Sequence, residues 1–170
     1  MALIKGFVRV PRFELAGPPW CGRDCERCLV EAAGLQADFP PKIPFALQLF
    51  RPESRFVMRM HFESLGINLA SWRIPLADRM NHLCAHLERG QAVAIWIRLR
   101  ERSPVAVHSI IVLAYDPSSR RLLVMDNRKR GSANDEHFPV GNDEWSEAKL
   151  LALWKGGWLT SNTAAIAYLA

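Results

Sequence analysis

Two apolar runs, residues 107–115 and 121–125, stand on either side of Asp116-Pro117-Ser118-Ser119. That tetrapeptide is turn chemistry, and the runs are strand-sized and rich in valine, isoleucine and leucine, so together they read as a β-hairpin. Residues 93–99 have the same strand-like character, and an antiparallel sheet follows from the three. Earlier in the chain the period is helical. In residues 21–33, Cys25, Cys28, Leu29 and Ala32 share one face, Arg23, Glu26 and Arg27 take the other, and Gly34 stands ready to end the helix. Residues 75–89 predict a second helix, with Pro75 in its first turn, a Leu76-Met80-Leu83-Leu87 stripe to pack on the sheet, and Gly90 beyond its end. A third is expected over 143–153, followed by Gly156-Gly157 and an apolar segment, 164–169, able to complete the sheet. Residues 6–10 read as a short strand, and Gly17-Pro18-Pro19 as a turn that delivers Trp20 and Cys21 to a helix start. Between 38 and 71 the pattern is weak: a linker at Pro40, Pro41 and Pro44, a short helix, and a Leu65-Gly66-Ile67 turn. Helices early and antiparallel strands late make an α+β order, not an alternating βαβ one.

At 170 residues the chain is read as a single domain, 1–170. Its 49% hydrophobic and 23% charged residues exclude a disordered or collagen-like polymer. No apolar run approaches the roughly 20 residues that span a bilayer, so no membrane partner is expected. Lys5, Arg9, Pro11, Arg12 and Glu14 interrupt any signal-peptide core, which points to synthesis in the cytoplasm and leaves open export by a machinery that needs no cleaved signal. The net charge of +5 invites a nucleic-acid partner. Its scatter argues against one: the densest cluster, Arg128-Lys129-Arg130, is short and lacks interleaved aromatics.

Four cysteines in a cytosolic product suggest catalysis, metal binding or burial before disulfides. Cys21 opens a helix, where the dipole and the backbone N–H groups favour a thiolate and face an incoming oxyanion. A thiol nucleophile needs a base, and His108 interrupts an apolar strand, where a polar ring needs a partner. Asp126 ends the next strand of the hairpin, at about the same distance from the turn, which places it beside His108 as a carboxylate that orients an imidazole. Singly, a buried histidine is more often structural and a strand-end aspartate more often a turn residue. Cysteine, histidine and aspartate in that order, on a helix start and a hairpin, are harder to obtain by accident.

With those residues in view, the sequence resembles the compact papain-like cysteine peptidases of bacteria, a group that includes the peptidase domains of bacteriocin-exporting ABC transporters and secreted effector proteases. The resemblance rests on Val10-Pro11 ahead of Trp20-Cys21-Gly22-Arg23-Asp24-Cys25, on Val107-His108-Ser109-Ile110-Ile111-Val112, on Leu123-Val124-Met125-Asp126-Asn127, and more weakly on residues 145–154. It implies a papain-like α+β fold with the nucleophile helix packed on an antiparallel sheet, a Cys21-His108-Asp126 triad, and hydrolysis of a protein substrate through a thioester, with no cofactor or metal. Without a transporter domain, it further implies a secreted effector or toxin held in check by a cognate inhibitor. Two positions depart from the family pattern. Glu14 stands where a glutamine usually completes the oxyanion hole, so that either Glu14 is protonated, or another donor such as the Trp20 indole N–H substitutes, or the activity is low. Asn127 replaces a common proline and is placed to share the orienting role.

Other chemistries compete for the cysteines. Cys21, Cys25 and Cys28 have the C-x3-C-x2-C spacing of radical SAM iron–sulfur proteins, but this chain lacks the length and the strand–helix alternation of their barrel and that reading leaves His108 and Asp126 without a role. Cys25 and Cys28 could form a redox pair, outside any thioredoxin-like unit. His82 and His86 flank Cys84 at metal-ligand spacing, but their position about 100° from the apolar stripe marks them as solvated. A catalytically impaired binding module and an amidase or acyltransferase with the same triad are the remaining alternatives.

Overall fold

The computed structural model describes residues 8–17, 20–36, 62–99, 107–129, 131–155 and 162–170. In chain order the elements are α1 (Cys21–Ala32), β1 (Leu69–Pro75), α2 (Arg79–Glu88), β2 (Val93–Arg98), β3 (Val107–Asp116), β4 (Arg121–Met125), β5 (Asp143–Ser146), α3 (Glu147–Leu153) and β6 (Thr163–Leu169). The strands form one sheet in the order β1-β6-β2-β3-β4-β5, with every neighbouring pair antiparallel. The expected α+β architecture, with the first helix against an antiparallel sheet, is present.

Helix α1 lies on one face of the sheet, and α2 and α3 on the other. Cys25, Cys28, Leu29 and Val30 of α1 pack with Ala94, Ile111, Leu113, Leu123 and Met125. Leu83, Leu87, Leu150 and Trp154 pack on the opposite side with Val93, Ile95, Ile97, Ile110, Val112 and Val124. The central strands are therefore apolar at successive positions, and each buried leucine or isoleucine contributes about 1.5–3 kcal/mol relative to exposure. Both glycine stops behave as expected. Gly34 and Gly90 adopt positive φ, and paired backbone bonds (Gly34 N to Glu31 O and Leu35 N to Val30 O; Gly90 N to Leu87 O and Gln91 N to His86 O) close α1 and α2 in the same way.

Strand β4 and the Asp116–Ser119 turn match expectation, and residues 164–169 do join the sheet, in its interior between β1 and β2. Four expectations need correction. Pro75 does not start α2: it ends β1, opposite Thr163, at a terminal strand position that tolerates a missing N–H, and α2 begins at Arg79. Residues 143–146 are not helical: Trp145 pairs with Leu122 and is buried, making Asp143–Ser146 the edge strand β5. The helix starts only after Ser146, whose Oγ accepts the Lys149 N–H at 3.2 Å. Residues 8–10 are irregular, although the Val8 N–H bonds to the Leu113 carbonyl at 3.1 Å. Finally, His86 is buried, with Nδ1 2.7 Å from Gln91 Oε1 and its ring 4.0 Å from that of Tyr168, so it is not a solvated surface residue. Residues 62–64 are helical and lead into the expected turn at Gly66, whose φ is +70°. Gly6, Pro18, Pro19, Pro40, Pro41, Pro44, Gly156 and Gly157 lie outside the described residues.

Candidate active site

A tight turn and a buried carboxyl build the helix start that carries Cys21. Gly17, at φ +74°, takes a conformation that a side chain resists, and its carbonyl accepts the Trp20 N–H at 2.8 Å. Trp20 precedes α1 without capping it by its side chain, and Cys21 is the first helical residue, buried. One turn on, Asp24 Oδ1 accepts the Ala16 N–H at 3.0 Å and Oδ2 accepts from Asn127 Nδ2 at 2.8 Å. Burial raises the Asp24 carboxyl above its ordinary value, against the lowering effect of bonds from Ala16, Asn127 and Gly17. Asp24 thereby ties the incoming chain, the helix start and the segment after β4 into one unit.

His108 and Asp126 meet as expected. His108 Nε2 lies 2.8 Å from Asp126 Oδ1, with His108 4% and Asp126 2% exposed. The route differs slightly from a direct cross-strand pair. Val112 pairs with Val124 and Ile111 with Met125, so His108 reaches Asp126 diagonally, past the last paired residues, within the span of a long side chain. A bulge between Val112 and Ala114 shifts this register and leaves Leu113 without a partner in β4.

Asp126 is held from three directions. Arg128 donates its backbone N–H to Oδ1 at 2.9 Å and closes a fork on the carboxylate, Nη2 to Oδ2 at 2.7 Å and Nε to both oxygens at 3.1–3.2 Å. Asn142 clasps the Asp126 backbone: Oδ1 accepts its N–H at 2.9 Å and Nδ2 donates to its carbonyl at 3.1 Å. Burial pushes the Asp126 carboxyl up, but the bonds from His108 and Arg128 outweigh it and hold the group well below the usual carboxylate range. An ionised carboxylate only accepts, so the proton sits on Nε2 and Nδ1 is the basic nitrogen of the neutral ring.

Gly141 makes the Asn142 clasp possible. A Cβ there would lie 2.4 Å from the Val124 carbonyl oxygen, and φ is +76°. Gly141→Ala should therefore cost about 1–3 kcal/mol, readable as a lower denaturant midpoint, because the 142 loop must lift off β4.

Among the candidate support residues, Glu14 is exposed between buried Phe13 and Leu15, in an isolated bridge with Ser132. Asn127 is buried, and its amide N–H goes to Asp24, so it braces the helix start. Cys25 and Cys28 are fully buried in the α1 core, and burial raises both thiols far above their ordinary range. Among the described residues no group of three or more histidine, cysteine, aspartate or glutamate side chains could hold a metal ion.

Strand alternation sorts the site into two layers. Ile111 and Leu113 face α1, while Ile110 and Val112 belong to the other core, and His108 stands in the even-numbered set, opposite Ile97. The Asp126 carboxylate is nevertheless near enough to Cys25 of α1 to help raise that thiol, so the His108–Asp126 pair stands where the two layers meet. The Asp126-Asn127 turn, past the end of β4, is where the Asn127–Asp24 bond joins the two layers.

Asp24, Arg128, Asn142 and Gly141 were not legible as site residues. Asp24 had one local signal, a carboxylate one turn from Cys21 in a helix otherwise buried on that side. No known protein-family model matches the chain, and no curated protein matches it.

Proposed function

We propose that the chain is a papain-like thiol hydrolase, a cysteine peptidase acting on a protein substrate. The observation that carries this reading is the buried His108–Asp126 hydrogen bond, linked through Asn127 and Asp24 to the turn that Cys21 opens. In the proposed cycle His108 Nδ1 takes the thiol proton as Cys21 Sγ forms a bond to the substrate carbonyl carbon, whose π electrons move to oxygen. The backbone N–H of Cys21, with the Trp20 indole as a second donor, stabilises that oxyanion. Collapse breaks the C–N bond, with the proton passing from His108 to the departing amine. Water, deprotonated by His108, then hydrolyses the thioester. The proposal extends to a secreted effector or toxin restrained by a cognate inhibitor protein in the producing cell.

Alkylation tests the nucleophile directly. Cys25 and Cys28 have no exposure at all, whereas Cys21 keeps 5%, and burial pushes the Cys84 thiol up to about 11. With iodoacetamide at pH 6, intact mass should show one fast label on Cys21, well ahead of Cys84, and none at that rate in Cys21→Ala. Equal rates at Cys21 and Cys84 would remove Cys21 as the nucleophile. Proteomic peptide libraries would then distinguish a peptidase, which cleaves them, from a binding module, which leaves every peptide intact.

A further inference from the structure

We propose that Arg128 is a positioning residue for His108: it shares the Asp126 carboxylate with the imidazole, fixing the ring while limiting its basicity. The inference rests on the acid–base role proposed above for His108. An aspartate that orients a histidine ordinarily places one full negative charge beside it, and that charge favours the imidazolium. Here the same carboxylate is already engaged by a planar fork, with Nη2 at 2.7 Å and Nε at 3.1 Å from Oδ2. The Arg128 backbone N–H and Nε take further positions on Oδ1, beside the His108 bond. His108 therefore faces an Asp126–Arg128 pair of about zero net charge.

The geometry also explains why the carboxylate cannot turn. Rotation that kept one Arg128 bond would break the other, and the Asn142 clasp holds the backbone behind it. Other charged and titratable groups near this cluster come from the neighbouring elements, among them Arg98 of β2, next to the Ile97 that pairs with His108. Asp24 and Cys25 lie on the α1 side, Lys149 on α3, Asp143 on β5, and Lys129 pairs with Asp143 at 3.2 Å. Lys149 sits 3.7 Å over the Trp145 ring, and the Arg128 guanidinium lies 5.9 Å from the same ring. Arg128 alone among these donates directly to Asp126 from a charged side chain other than His108 itself.

Fork and charge can be separated by substitution. Arg128→Gln removes both, while Arg128→Lys keeps the charge and loses the bidentate fork. The readout is the NMR titration of the His108 imidazole in a Cys21→Ala background, which needs no turnover and so stands whether or not the chain proves to be a peptidase. Arg128→Gln should raise the His108 pKa by about half a unit to one unit, a three- to tenfold gain in proton affinity, with Arg128→Lys close to the parent. In the active protein, Arg128→Lys should lower kcat severalfold with KM and the acid limb of the pH profile held, and Arg128→Gln should move that limb upward. A His108 titration unchanged or lowered in Arg128→Gln overturns the proposal, and so does equal displacement in both variants. Should Arg128→Gln fail to fold, the His108 titration of Arg128→Lys is read alone, and a displacement there of about half a unit or more overturns the proposal.

Discussion

Asp126→Asn should lower kcat by about four orders of magnitude while leaving KM little changed. The amide has the carboxylate's shape, and the Asn142 clasp acts on the backbone, so position 126 stays in place. What changes is the direction of the hydrogen bonds. The Arg128 fork can only donate, so it captures the amide oxygen and turns the amide nitrogen toward His108. Nε2 must then accept, which moves the ring proton to Nδ1, the nitrogen that has to take the thiol proton. A kcat within tenfold of the parent, on any peptide the parent cleaves, would show that Asp126 does not set the tautomer. The same substitution has a stability signature with a definite sign. Asp126 is held below its ordinary pKa, so it stabilises the fold above the unfolded value of about 4, and that contribution disappears as pH falls toward the depressed folded value. The stability gap between parent and Asp126→Asn should narrow as the pH drops below about 5, measured by urea unfolding.

The largest loss of stability from one side chain should come at Trp154. Trp154→Ala is expected to cost about 3–5 kcal/mol, read from the shift in denaturant midpoint. The indole is fully buried in the core shared by α2, α3 and the sheet, and its Nε1–H bonds to the Ala165 carbonyl of β6 at 3.1 Å. Its backbone closes α3 through a bond to the Leu150 carbonyl at 2.7 Å and offers its own carbonyl to Arg79 Nη1 at 3.1 Å. Truncation opens a cavity and strands the Ala165 acceptor, while the Arg79 bridge to the backbone remains. A loss under about 1 kcal/mol would mean that the core closes over the gap.

The hairpin of β3 and β4 was readable because apolar runs on both sides of a proline–serine turn leave little choice, and that placed His108 near Asp126. Helix α1 was readable from its cysteine face and from Gly34. Strand β1 was not, because Ala70, Ser71, Trp72 and Arg73 are half-buried or exposed and carry no alternating pattern. Missing β1 also cost His86 its neighbours: Trp72 on β1 and Tyr168 on β6 are what cover it. Strand β5 was mistaken for the first turn of a helix since Asp143 and Glu144 resemble helix-opening acids, although Ser146 carries the true cap. Arg128 and Asn142 gave no signal, because polar loop residues acquire partners from the fold and not from local periodicity.

The position of β6 governs how this protein must be assembled during synthesis. Among the described residues β1 hydrogen-bonds to β6 alone, and β6 also flanks β2, so Leu69 waits for Leu169 before it has a neighbour there. At ribosomal rates of roughly 5–20 residues per second, that wait is on the order of ten seconds. During it, the β2–β5 meander can form while β1 hangs unpaired and the β2 edge, with Ala94 and Ile95, stands open to other chains. Long-range closure of this kind is slow, and it leaves those edges exposed in the nascent protein until β6 slots into the gap.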